Sequence, residues 1–179
     1  MNEKIAALLE PLDAFDEIIP AERMRRWADE CTLCLDDVRD FCRFSPTRYV
    51  RNLVRSGPAY HALVLCWRNG QRSPIHDHAG SHCAVRVLAG VATETRFEIA
   101  PNGMVYATGS STLAPGLTTY SEDSDIHQIS NLQADQADLV TLHLYSPPLL
   151  RMQSFSLQET EAHTFFDPVN DEFVAGAGI

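Results

Sequence analysis

From about residue 46 onward the sequence is cut into short strand-like runs by Gly and Pro turns, with no helical stretch between them, and this leaves few folds open. The runs are Tyr60–Trp67, Cys83–Leu88, Ala92–Ile99, Met104–Ala107, Ile126–Ile129, Leu139–Tyr145 and Met152–Ser156. Asn69-Gly70, Pro101-Asn102-Gly103, Pro115-Gly116 and Pro147-Pro148 separate them. Such a series predicts a mainly β fold, an antiparallel barrel or double-sheet jelly roll. The first 45 or so residues read differently. Ile5, Leu8, Leu9 and Leu12 recur at helical spacing, a second run carrying Met24, Trp27 and Ala28 begins after Pro20, and a third spans Leu33 to Phe41 before Ser45-Pro46. The expected organisation is one domain over 1–179, with a helical segment (1–45) packed against a β-barrel (46–179).

Length and charge narrow the function. A chain of 179 residues can bury a substantial core. Its 24 acidic and 14 basic residues argue against nucleic-acid or anionic-membrane surfaces, which reward clustered Lys and Arg. The opening residues, with Lys4, Glu10, Asp13 and Asp16, do not read as a signal peptide, and no apolar run approaches the roughly 18 residues that span a bilayer. Five cysteines in a chain of this size suggest reduced thiols, and the expectation is a cytoplasmic monomer.

The most informative stretch is Ser73-Pro74-Ile75-His76-Asp77-His78. Histidines at i and i+2 of a strand share a face, so both imidazoles can reach one ion. His127 lies in another predicted strand about fifty residues on. Three imidazoles suit zinc, copper, iron or nickel.

Around these histidines the spacing resembles the cupin motifs. Gly70, five residues, His76-Asp77-His78, four residues, Cys83, six residues and Gly90 follow the first motif, with Cys where most cupins carry a ligating Glu. Gly109, Pro115, His127 and Asn131 follow the second, with Pro115-Gly116 contracted and a longer gap before His127. Ser81-His82-Cys83, Tyr49-Val50-Arg51-Asn52-Leu53-Val54, Leu65-Cys66-Trp67 and His143-Leu144-Tyr145-Ser146-Pro147-Pro148 narrow the resemblance to the cysteine dioxygenase family, over about residues 45–150.

That resemblance implies a cupin fold and oxidation of L-cysteine by O2 to the sulfinate at Fe(II) held by His76, His78 and His127. It makes Arg51, with Tyr49 beside it, the anchor for the substrate carboxylate, through the planar fork that suits a bidentate pair. Trp67 is placed near the pocket. Tyr145 is the active-site tyrosine, with His143 and Thr141 behind it in a hydroxyl–imidazole–phenol row. A thioether crosslink between Cys83 and Tyr145 is implied by animal members, and a cis Ser146-Pro147 bond by the family. Met152 stands near where some relatives carry a cysteine beside the site.

Three rival functions share the histidines. A 3-mercaptopropionate dioxygenase would usually replace Arg51 by Gln, a ligand-binding cupin would not need Arg51, His143 and Tyr145 together, and a zinc hydrolase or isomerase fits poorly with Cys83 in place of the motif Glu. Cys31-Thr32-Leu33-Cys34 is read as helix packing, Met24-Arg25-Arg26-Trp27 as a solvated face with a core tryptophan, and His61 and His163 as structural or exposed. His82 is assigned to the strand face opposite Cys83.

Overall fold

The computed structural model of the chain describes residues 3–122 and 125–171. Three helices, α1 (Glu3–Leu9), α2 (Ala21–Glu30) and α3 (Leu35–Val38), with 3-10 turns at Glu10–Ala14 and Arg39–Phe41, precede twelve strands. These are β1 (Val50–Gly57), β2 (Tyr60–Trp67), β3 (Ile75–His76), β4 (His82–Ala89), β5 (Ala92–Ile99), β6 (Val105–Leu113), β7 (Thr118–Ser121), β8 (Ile126–Ser130), β9 (Leu139–Ser146), β10 (Arg151–Phe155), β11 (His163–Phe166) and β12 (Val169–Asn170).

The strands form two six-stranded sheets, ordered β12-β1-β2-β9-β4-β7 and β11-β10-β3-β8-β5-β6. The mainly β fold with N-terminal helices is as expected, but hydrogen bonding does not close the sheets into a barrel. Nor is every pairing antiparallel: β12 runs parallel to β1, with Arg51 opposite Val169.

The first sheet is covered on both faces. In β2, Ala62, Val64 and Cys66 join a core with the helices, while Leu63, Leu65 and Trp67 face the space between the sheets. All eight residues of β9 are buried, with Val140, Leu142 and Leu144 on the helix side. Such strands read as continuous apolar runs because neither face meets water. On α2, Met24, Trp27 and Ala28 recur at i, i+3 and i+4 and pack into the same core. Ser146 ties the layers together, accepting from Ile19 N–H at 2.7 Å and donating to Ala59 O at 2.8 Å. Between β4 and β5, Gly90 has φ +73°, and a Cβ there would lie 2.5 Å from Asp138 O, so only glycine fits this turn.

Several local expectations need correction. The run Leu33–Phe41 is not one helix but a single α turn followed by a 3-10 turn. Cys31 and Cys34 do not share a helix: Cys31 is buried at the end of α2, and Cys34 is exposed at the start of α3, where its backbone N–H donates to Asp37 Oδ2. The His-x-His pair is not wholly on a strand, for β3 ends at His76 and His78 leads into a turn at Ala79-Gly80. β6 runs on to Leu113, and β1, β7, β11 and β12 add to the expected set. The Ser146-Pro147 bond is cis.

Candidate metal centre

His76 and His127 are direct partners across β3 and β8. The turn after β3 brings His78 back, and the ring centroids lie 4.8 Å (His76–His127), 4.8 Å (His78–His127) and 5.6 Å (His76–His78) apart. Donor atoms of the three lie within 4.8 Å of one another. All three residues are buried. Burial, with His127 as the next cause, holds the His76 imidazole down at about pKa 3 and His78 well below its usual range. Both rings are therefore neutral donors at neutral pH.

Their outer hydrogen bonds choose the free nitrogen. His76 Nδ1 donates to Pro74 O at 3.0 Å, and His127 Nδ1 donates to Glu94 Oε1 at 3.0 Å. In both rings Nε2 then keeps its lone pair for the centre. His78 Nδ1 lies 3.4 Å from Ser121 Oγ. Glu94 was missed by sequence reasoning. The His127 contact, then burial acting the other way, leaves its carboxyl below the usual range. Its only signal was an acidic residue at an inward position of β5. A carboxylate thus stands behind the ligand His127, while the motif position of the usual cupin Glu is held by Cys83. A three-imidazole set in which His76 and His127 direct their Nδ1–H groups outward fits a divalent iron, as it fits zinc, copper or nickel.

Beside the histidines lies a second polar layer on the inner faces of β2, β4 and β9. Trp67 Nε1 donates to Thr141 Oγ1 at 3.0 Å, Thr141 Oγ1 meets His143 Nε2 at 2.8 Å, and His143 Nδ1 meets the Tyr145 hydroxyl at 2.8 Å. Burial, then the Arg51 charge, keeps His143 neutral, and burial, then Cys83, pushes the Tyr145 phenol up. Trp67 can only donate, so it takes a lone pair of Thr141. When Thr141 gives its proton to His143 Nε2, His143 Nδ1–H donates to the Tyr145 oxygen, and the phenol proton is free to point into the cavity. Cys83 is the direct cross-strand partner of Tyr145, so their side chains lie on the same sheet face within reach of each other.

Arg51, in the strand β1, is 2% exposed. Its Nη1 donates to Asp167 O and its Nη2 to Leu149 O, both at 2.8 Å. Tyr49 stacks on Trp67 with centroids 4.2 Å apart, and its hydroxyl donates to the Asp167 carboxylate. Of the ten residues singled out from sequence, nine line one cavity, and Thr141 stands directly behind it. Met152 also lines it. Asp167, which lines it too, was missed, since nothing in the local pattern Phe165-Phe166-Asp167-Pro168 distinguishes it from a turn residue.

Of the residues left unassigned, His82 does face away from Cys83, with Nδ1 3.2 Å from Ile19 O, and His163 is exposed beside Glu159. No described helix is long and apolar enough to cross a membrane.

The family model for cysteine dioxygenase type I matches residues 24–158. Cysteine dioxygenase type 1 of Danio rerio is 36% identical over 132 residues, covering 71% of this chain and 65% of that protein. The Homo sapiens protein of the same name is 36% identical over 120 residues, covering 64% of this chain and 59% of its own. The chain thus spans less than two thirds of the length of these curated relatives. Among solved structures, a protein of Thermus thermophilus aligns with TM-score 0.53 and 20% identity over 63% of this chain and 95% of that one. A Klebsiella pneumoniae protein with a double-stranded β-helix domain aligns with TM-score 0.53 and 14% identity over 77% of this chain and 93% of that one. These two matches establish the double-stranded β-helix architecture.

Proposed function

The chain belongs to the cysteine dioxygenase type I family, and from that premise we propose that it oxidises the thiol of L-cysteine with O2 to the sulfinate, both oxygen atoms going to sulfur. The observation that carries the reading is a buried set of three imidazoles, with no carboxylate in the group among the described residues, sharing one cavity with the Arg51 guanidinium and the hydrogen-bonded Tyr145 phenol, which lie against each other. His76, His78 and His127 would hold Fe(II), which when bound would supply activation of O2 towards a substrate thiolate.

The remaining residues bind, orient and hold protons. Arg51 and Tyr49 are the groups for the substrate carboxylate. Tyr145 presents its hydroxyl towards the reacting sulfur, and Thr141 and His143 fix the direction of that proton. Trp67 holds Thr141 and, by stacking on Tyr49, links the two sides of the pocket. Holding both reactants in one closed cavity supplies much of the rate. The register of Cys83 against Tyr145 supports a thioether between them. Intact-mass analysis after turnover would show a loss of two hydrogens if it forms, and an unchanged mass would remove it from the account.

The test is O2 uptake by the Fe(II)-loaded protein, with L-cysteine and 3-mercaptopropionate supplied separately and products identified by mass spectrometry. Cysteine sulfinate formed with matching O2 uptake is the expected result. Preference for 3-mercaptopropionate would keep the chemistry and reassign Arg51. No uptake with either, at verified iron loading, would leave a ligand-binding cupin.

A further inference from the structure

The segment that carries Asp167 leaves β11 in one sheet and enters β12 in the other, so it straps one end of the sandwich. Asp167 is 4% exposed and lines the same cavity as the imidazoles. Its carboxylate accepts from Arg48 Nη2 and from the Tyr49 hydroxyl, and it stands 3.8 Å from Arg51 Nε. The Asp167 backbone carbonyl takes an N–H from Arg51 Nη1. Tyr49 has a single proton, and Asp167 receives it. The two groups assigned to the substrate carboxylate therefore already face a resident carboxylate.

Charge makes the consequence directional. The Arg48 side chain is 44% exposed, so water screens it, whereas the side chains of Arg51 and Asp167 are each 1% exposed. Within the cavity the one guanidinium charge is balanced before any substrate arrives. A second carboxylate brought to Arg51 would stand within a few ångströms of the first, in a medium that screens poorly, and like charges there repel strongly. An aminothiol without a carboxylate meets no such repulsion. Position 167 also lies beyond residues 24–158, which the family model matches.

The geometry points to Asp167 as a specificity-determining residue, a built-in carboxylate that competes with a substrate carboxylate for Arg51 and Tyr49 and so narrows the margin by which the site favours cysteine over thiols that lack one. This rests on the thiol-dioxygenase reading of the site. The test compares Fe(II)-loaded wild type with Asp167→Asn, which keeps an acceptor for Tyr49, using L-cysteine and 2-aminoethanethiol. The ratio of kcat/KM for cysteine over the aminothiol is expected to rise at least about tenfold in the variant, mainly through a lower KM for cysteine. An unchanged or lower ratio overturns the proposal and leaves Asp167 as a brace for Arg51. Asp167→Ala gives a second variant if the first folds poorly. A binding measurement separates this from the fate of the catalytic reading. Propionate, which has the carboxylate and no thiol, should raise the Tm of metal-free Asp167→Asn more than that of metal-free wild type, whether or not either protein consumes O2. Equal shifts, including none in either, overturn it.

Discussion

The two faces of β2, β4 and β9 are built by the same strands and are equally dry, yet they do opposite work. Towards the helices stand Ala62, Val64, Cys66, Ala84, Leu88, Val140, Leu142 and Leu144, with hardly a polar atom among them. Towards the other sheet the alternate positions bring Trp67, Cys83, Thr141, His143 and Tyr145 to the cavity or directly behind it. The helix side is tolerant in kind, because any well-packed apolar group removes similar area from water. The inner side is not, because each buried polar group needs its partner, and an orphan costs about 1–3 kcal/mol. A strand of period two thus separates stability from chemistry by a single residue step.

The largest expected effect lies at the point where the inner face meets the second sheet. His127→Ala removes one of three ligand nitrogens and leaves Glu94 buried without its imidazole. Iron retained after loading and desalting should fall to background, and thiol-dependent O2 uptake should drop at least about a thousandfold, the scale of losing metal assistance. Stoichiometric iron in the variant would break the comparison at its root. The helix-side counterpart is Leu144→Ala, a fully buried side chain one position from His143 and Tyr145. Denaturant unfolding should show a loss of about 2–5 kcal/mol, with iron stoichiometry unchanged. If Leu144→Ala instead loses iron while remaining folded, the two faces are not separable.

Much of this division was legible in the sequence, and the exceptions share a cause. β2 and β5 have the expected bounds because a turn signal follows each, Asn69-Gly70 and Pro101-Asn102-Gly103. The three histidines were found because ligand chemistry at i and i+2 leaves a mark that few structural roles imitate. β1 was not seen as a strand. Its Arg51 and Asn52 are both buried and polar, so neither alternation nor an apolar run appears. The edge strand β6 is exposed along most of its length and so lacks a buried face to shape its pattern. Glu94 and Asp167 act through partners 33 and 116 to 119 positions away, and only the sheet register brings them together. Local patterns record what each residue buries, not what it meets.

A smaller effect sharpens the inner face. Glu94→Gln keeps the shape and a hydrogen bond to His127 Nδ1–H but removes the charge that makes the imidazole a stronger donor. Iron affinity should fall by about 10- to 100-fold, as for other groups that orient a metal-bound histidine. Competition with a chromogenic chelator measures it directly. An unchanged affinity would mean that the β8 register alone positions His127.

The smallest effect concerns stability and pH in the metal-free protein. Burial depresses the folded-state pKa of His76 to about 3 and lowers His78 and His143 as well. The unfolded chain protonates each near pH 6.5 while the folded chain does not, so the unfolded state binds more protons below that pH. Stability is therefore full above about pH 6.5 and is lost as the pH falls, for His76 until about pH 3. Between pH 6.5 and 5.5 each such histidine should cost about 1 kcal/mol. Burial, then Arg51, also lowers half-buried His61, which adds a smaller share. Denaturant midpoints across this range should decline for the wild type, decline in parallel for Leu144→Ala, and decline less steeply for His76→Asn. The helix side contributes a constant and the inner side a slope, so a His76→Asn line parallel to wild type would show that His76 titrates in the folded chain as it does in water.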